Sequence, residues 1–131
     1  MGDNPTTRLE FSTCSVLITK GPSEVDVAVL GEVDMNDSDR VAEVLLRAAS
    51  TGSSSIVVEL GGLTFADSSA IRALLTGRRA AQERDISFRI ANPRHEVFRV
   101  LELAGLLDTF DVVDVVDVVD ARLSDDAPPG S

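Results

Sequence analysis

Two hydrophobic spacings alternate along this chain. "SVLITK" (15–20) is followed by the turn-forming "GPSE" and then by "VDVAVLG", where Val25, Val27 and Val29 alternate with Asp26 and Ala28. A period of two buries one face of a strand, and two such runs joined by a short polar turn predict an antiparallel pair. In "MNDSDRVAEVLLRAAS" the spacing changes: Val41, Val44, Leu45 and Ala48 fall at i, i+3, i+4 and i+7, one face of a helix. Asn36 or Asp37 is placed to cap that helix, and acids cluster in its first turn, where the helix dipole favours them.

The alternation continues. "SIVVEL" reads as a fully buried strand, and "GGLTF" as a short connector. After Ser68, Ile71, Leu74, Leu75 and Ala81 lie on one side of a helix and Arg72 and Arg79 on others. "ISFRIA" is a further strand. In "NPRHEVFRVLELAG", Asn92 reads as a cap, Pro93 as the first helical residue and Gly105 as the stop, with Val97, Val100, Leu101 and Ala104 facing inward. Strands that alternate with helices become parallel neighbours through right-handed crossovers. The expectation is a single α/β domain over residues 8–123, with a small mixed sheet of about five strands and about four helices. Residues 1–7 and 124–131 read as loose ends. "DVVDVVDVVD" (111–120) repeats every three residues, a period that suits neither element. It divides into a last short strand, "FDVV", and a short helix from about Val115 to Leu123 capped by Asp114. Asp114, Asp117 and Asp120 then form a solvated acidic edge.

Composition narrows the function. At 131 residues there is room for one ordinary domain. With aromatics at 4% and no Trp or Tyr, the core must be aliphatic. The apolar runs fall far short of the ~20 residues of a membrane helix, and no signal-peptide pattern opens the chain. The single cysteine, Cys14, excludes an internal disulfide and a Cys-rich zinc site. These features point to a cytoplasmic protein. A net charge of −10 disfavours nucleic-acid phosphates. That charge is uneven: residues 68–100 hold seven arginines against three acids, while the rest of the chain holds five basic and nineteen acidic residues. The split reads either as a solvated helix surface or as a dipolar molecule that presents different faces to a protein partner.

Catalysis finds little support. The only histidine, His95, has no nucleophile elbow to serve, and "HEVFR" has Arg99 where a zinc protease needs its second histidine. No phosphate-cradling glycine motif is present, so no cofactor is expected. "DMNDSD" (34–39) lacks the sixth-position glycine of a calcium loop and carries Leu45 where the bidentate glutamate belongs. What remains is "FADSSAIRALL" (65–75). Asp67-Ser68-Ser69 can be an N-cap. It also follows a strand and connector, and so stands at the carboxyl end of a parallel strand, where α/β folds place ligand sites.

Three segments together carry a family resemblance. "VAVLGEVDMND" (27–37), "SIVVELGGLTFADSSAI" (55–71) and "FRIANPRHEVFRVLELAGLLDTFDV" (88–112) resemble, in order, segments of the anti-sigma factor antagonists of the STAS domain family. The resemblance implies a protein that binds an anti-sigma factor, often a serine kinase, and so frees a sigma factor. It implies phosphorylation of Ser68 by that kinase and reversal by a serine phosphatase. Asp34, Asp67, Ser69 and Arg72 would lie on the partner-binding surface, with Ser69 the structural hydroxyl. The alternative is a STAS adaptor that is not phosphorylated, such as a subunit of a transport complex. Two positions depart from the family pattern: Ala70 replaces the usual glycine after the serines, and Glu59 stands where Asp or Asn is common.

Overall fold

The computed structural model describes residues 5–113. Its elements are β1 (Thr6–Glu10), β2 (Cys14–Lys20), β3 (Glu24–Val33), α1 (Ser38–Ala49), β4 (Ser55–Glu59), β5 (Leu63–Ala66), α2 (Ser68–Glu83), β6 (Ser87–Ala91), α3 (His95–Leu103) and β7 (Asp111–Val113). The sheet runs β1-β2-β3-β4-β6-β7, with β5 also on β3. β1, β2 and β3 are antiparallel neighbours, and β4, β6 and β7 continue parallel to β3. The single α/β domain with a mixed sheet is as expected. Among the described residues the sheet has seven strands and the domain has three helices. The proposed helix from Val115 and the aspartates at 114, 117 and 120 lie outside the described residues.

Burial follows the predicted stripes. In β3, Val25, Val27 and Val29 face the core, as do Val41, Val44, Leu45 and Ala48 of α1 and Ile71, Leu74 and Ala81 of α2. Phe110, just before β7, is fully buried and lies against Phe88. The hairpin turn after β2 closes with the Gly21 amide donating to the Glu24 carbonyl at 2.7 Å. The two long helices meet closely because Gly77 has no side chain. A Cβ there would stand 2.7 Å from Cβ of buried Leu45.

The structure takes Thr6 and Thr7 into β1 and residues 63–65 of the expected connector into β5, and it corrects local readings of β4 and α3. "SIVVEL" is not buried on both faces: Ile56 and Val58 point into the core, whereas Val57 and Glu59 are half-buried on the opposite face. Among the described residues no helix covers that face. It holds a shallow concavity of about 630 Å³, lined by Leu17, Asp26, Ala28, Val57 and Glu59 among others. Asn92 does not cap α3. It sits at φ +54°, whereas an N-cap needs extended backbone, and the helix starts at His95 after an extended Arg94. Pro93 accordingly precedes the helix. Within α3 only Val97 and Leu101 are buried; Val100 and Ala104 are exposed, because a nine-residue helix touches the core along a narrow line. Gly105, at φ +72°, does end it.

Two predictions follow from the packing. Gly77→Ala gains roughly 1 kcal/mol of helix propensity, but the collision with Leu45 costs about 1–3 kcal/mol. Urea unfolding is expected to show a net loss of stability at an unchanged slope. On the open face, partial desolvation in the concavity, a hydrogen bond with Glu24 and the charges of Glu24 and Glu59 push the Asp26 carboxyl up to about 6. Its folded value exceeds its unfolded one, so ionising it destabilises the fold progressively from about pH 4 to pH 6, with the full cost present above that range. Asp26→Asn is therefore expected to raise Tm near neutral pH and to leave it unchanged near pH 4. Because Asp26 is exposed and screened, the gain is on the order of 1 kcal/mol or less. Thermal melts across that pH range provide the check.

Candidate functional site

β4 and β5 act as one strand broken by Gly61 and Gly62. β4 pairs with residues 24–28 of β3, and β5 with residues 31–33. Glu59 holds the break in place: it accepts from the Gly61 amide at 2.5 Å and from the Asn92 side chain. The Glu59 side chain thus spans from the connector to Asn92, just past the end of β6. At the far end Val33 is opposite Ala66, and the Asp67 amide donates to the Val33 carbonyl at 3.4 Å. The chains leaving these two parallel strands, Asp34-Met35-Asn36 and Asp67-Ser68-Ser69, therefore emerge side by side. This brings together Asp34, Asp67, Ser68 and Ser69, with Arg72 exposed one turn along α2.

The two serines differ in what they do. Asp67 is the N-cap of α2: its Oδ1 accepts from the amides of Ser69 at 2.9 Å and Ala70 at 3.1 Å. The Ser69 hydroxyl donates to the same oxygen at 2.5 Å and is half-buried. The Ser68 side chain is exposed at the first helical position and makes no hydrogen bond among the described residues. Ser69 is thus committed to structure, and Ser68 presents a free hydroxyl. The Ser69 hydroxyl, with the Ala70 and Ser69 amides, holds the Asp67 carboxyl below its ordinary value against the opposing effect of burial. A depressed carboxyl stabilises the fold above its unfolded pKa and loses that contribution as pH falls through the folded value. The cap is intact at neutral pH.

Asp34 is half-buried and shapes its own turn. Its Oδ1 accepts from the Asn36 amide at 2.9 Å, and its carbonyl accepts from the amides of Asp37 and Ser38. Ala70, the departure from the family glycine, points inward and is buried, so it leaves the exposed surface unaltered. A small cleft of about 80 Å³ between α1 and α2, lined by Asp39, Ser69, Arg72 and Thr76 among others, adjoins the serines. His95 is exposed at the start of α3, and among the described residues no three His, Cys, Asp or Glu side chains cluster as metal ligands.

Two apolar residues at this end were not singled out from the sequence. Met35 is 75% exposed, and Phe65 on β5, opposite Glu32, is 48% exposed. Each is a lone apolar position in polar surroundings, which periodicity cannot flag. The signal available was their immediate proximity to Asp34 and Asp67.

Comparison with known proteins agrees with this fold. A family model described as "Mlab, STAS domain" matches residues 16–117. Among solved structures, an anti-sigma factor antagonist from Mycobacterium paratuberculosis superposes with a TM-score of 0.68 at 21% identity, covering 83% of this chain and 93% of that one. The anti-sigma factor antagonist SpoIIAA in its unphosphorylated form gives 0.64 at 17% identity, over 91% and 96% of the two chains. A putative antagonist from Thermotoga maritima gives 0.62 at 16%, over 74% and 86%. No match was found among curated proteins. At such identities the structures establish a shared fold, and the family model spans most of the sequence: the chain belongs to the STAS domain family.

Proposed function

We propose that this protein is an anti-sigma factor antagonist: it binds an anti-sigma factor that is a serine kinase, displaces a sigma factor, and is switched off when that kinase phosphorylates Ser68. A serine phosphatase reverses the modification. The protein acts in the cytoplasm by binding, not by catalysis. The observation that carries this reading is the contrast at the start of α2, where Ser69 is tied to the Asp67 cap and Ser68 is exposed and unengaged. SpoIIAA, which shares the fold, has structures described as unphosphorylated and phosphorylated.

The mechanism is electrostatic. A phosphate on Ser68 adds about −1.5 to −2 charge. A free helix N-terminus would welcome it, but here Asp67 already occupies the Ser69 and Ala70 amides. The phosphate would stand next to the Asp67 carboxylate on the surface that also carries Asp34. Asp67 caps the helix without using the Ser68 hydroxyl, so the change is expected to fall on the partner and not on the fold. A loss of ~3 kcal/mol in binding is about 100-fold in affinity. Met35 and Phe65 supply the apolar part of the same surface, because exposed Met and Phe beside a polar rim are what protein interfaces bury.

Incubation with the cognate kinase and ATP is expected to modify Ser68 and not Ser69. Modification of Ser69 alone, or of neither serine, contradicts the mechanism and leaves the unphosphorylated adaptor. Ser68→Ala is expected to keep both stability, within about 0.5 kcal/mol, and anti-sigma binding, because its hydroxyl caps nothing. Asp67→Ala removes the cap and is expected to cost about 1 kcal/mol in urea unfolding. Met35→Ala and Phe65→Ala are expected to retain wild-type circular dichroism while each weakens binding roughly tenfold, read by calorimetry.

A further inference from the structure

The sequence offers Asn36 or Asp37 as the cap of α1, and the Asp37 side chain does not act as one. Asp37 occupies the N-cap position, yet its side chain makes no hydrogen bond to its own helix. It is fully buried. Its carboxylate reaches across to the turn between β1 and β2: Oδ1 accepts from the Ser12 amide at 3.2 Å, and Oδ2 accepts from the Thr13 amide at 2.8 Å and the Thr13 hydroxyl at 3.3 Å. Burial alone would raise its pKa, but these donors outweigh it and hold the carboxyl below its ordinary value.

Further contacts tie the same two segments together. The Glu32 amide donates to the Thr13 carbonyl at 3.0 Å, and the Thr13 hydroxyl shares its one proton between Asp37 and the Glu32 carbonyl, the latter at 2.9 Å. The Arg40 guanidinium lies over the Phe11 ring, 5.8 Å from its centre. Gly31, at φ +94°, permits the close approach, since a Cβ there would fall 2.6 Å from the Thr13 carbonyl oxygen. The segment held this way, from Glu32 to Arg40, contains the Asp34-Met35-Asn36 turn. That turn is closed on its inner side by the Asp37 and Ser38 amides bonding to the Asp34 carbonyl. The Asp37 backbone therefore belongs to the turn while its side chain is anchored 24 residues away.

We propose that Asp37 is a positioning residue: its buried carboxylate fastens the Asp34-Met35-Asn36 turn to the Ser12-Thr13 turn and fixes half of the partner-binding surface. The partner-binding part of this inference rests on the functional reading above; the fastening does not. An ion held by two backbone amides and a shared hydroxyl proton resists displacement, because freeing it leaves either a buried unpaired charge or unpaired amides. The N-terminal hairpin is then a buttress, and substitutions in it reach the partner without touching it.

The test has two arms, using the full chain. In the unbound protein, amide hydrogen exchange at Asn36 is expected to quicken about tenfold in Asp37→Asn, and to a lesser degree in Thr13→Val, with Ala70 unchanged. Thr13→Val keeps the Asp37 charge and alters an exposed residue, so it remains informative if Asp37→Asn does not fold. In the second arm, affinity for the anti-sigma factor is expected to fall about tenfold in Asp37→Asn and about threefold in Thr13→Val. The Thr13 effect is expected to vanish in the Asp37→Asn background. Wild-type exchange at Asn36 in the folded variants overturns the proposal. So does unaltered affinity in both variants while Asp34→Ala weakens binding. If the wild-type protein itself binds no anti-sigma factor, the functional reading fails, and the exchange arm alone decides the role of Asp37.

Discussion

The candidate site depends on one strand pairing, that of β3 with β5 in parallel register with Val33 opposite Ala66. Parallel strands deliver their exits to the same edge of the sheet, so Asp34 and Asp67 leave together although 33 positions separate them in the chain. A slip of one residue would turn every side chain of β5 to the other face. Leu63 and Ala66 would leave the core and Phe65 would enter it. The register is held by the Gly61-Gly62 break, which lets the second half of the strand shift, and by the kink at Gly31, where the pairing changes step. Glu59, bonded to both the Gly61 amide and Asn92, fixes where the break occurs.

Given that register, the two loops are stiffened by carboxylates that accept from backbone amides. Asp67 caps α2, and Asp37 binds the β1–β2 turn. Both donor sets outweigh burial and keep the acid ionised. Such acids do structural work at neutral pH and leave the exposed chemistry to others: Asp34 at the rim and the free Ser68 hydroxyl. A surface already carrying fixed negative charge is sensitive to two more units, since each charge pair at 4 Å is worth about 1 kcal/mol even in water and more where a partner excludes it. In the proposed mechanism a rigid frame would hold a phosphate on Ser68 at the contact surface, where a pliable loop would let it move away.

Much of this was legible in the chain. The stripes at Val41, Val44, Leu45, Ala48 and at Ile71, Leu74, Ala81 marked two helices, and "DSS" before the second stripe marked its start. What escaped did so for physical reasons. β1 takes in Thr6 and Thr7, in the segment read as a loose start, because an edge strand with most positions exposed has no hydrophobic period to betray it. β5 buries only Leu63 and Ala66, too few to distinguish it from a connector. Val57 belongs to a central strand, but composition cannot tell a residue buried by a helix from one on an uncovered face. Asn was read as a cap at position 92, yet Asn also tolerates the left-handed region, and that second property is the one used. The role of Asp37 was invisible because its partners are 24 and 25 residues upstream, and short-range patterns report only on neighbours.

The central claim is that the partner meets the molecule where the β3 and β5 exits converge, and that a phosphate on Ser68 removes it. Hydrogen–deuterium exchange of the protein alone, with the cognate anti-sigma factor, and with that factor after phosphorylation tests this in one series. The account predicts protection on binding across residues 33–36 and 65–72, none on the open face around Asp26 and Val57, and loss of that protection in the phosphoprotein. Protection centred on the open sheet face, or a footprint at 65–72 that persists after Ser68 is phosphorylated, would contradict it.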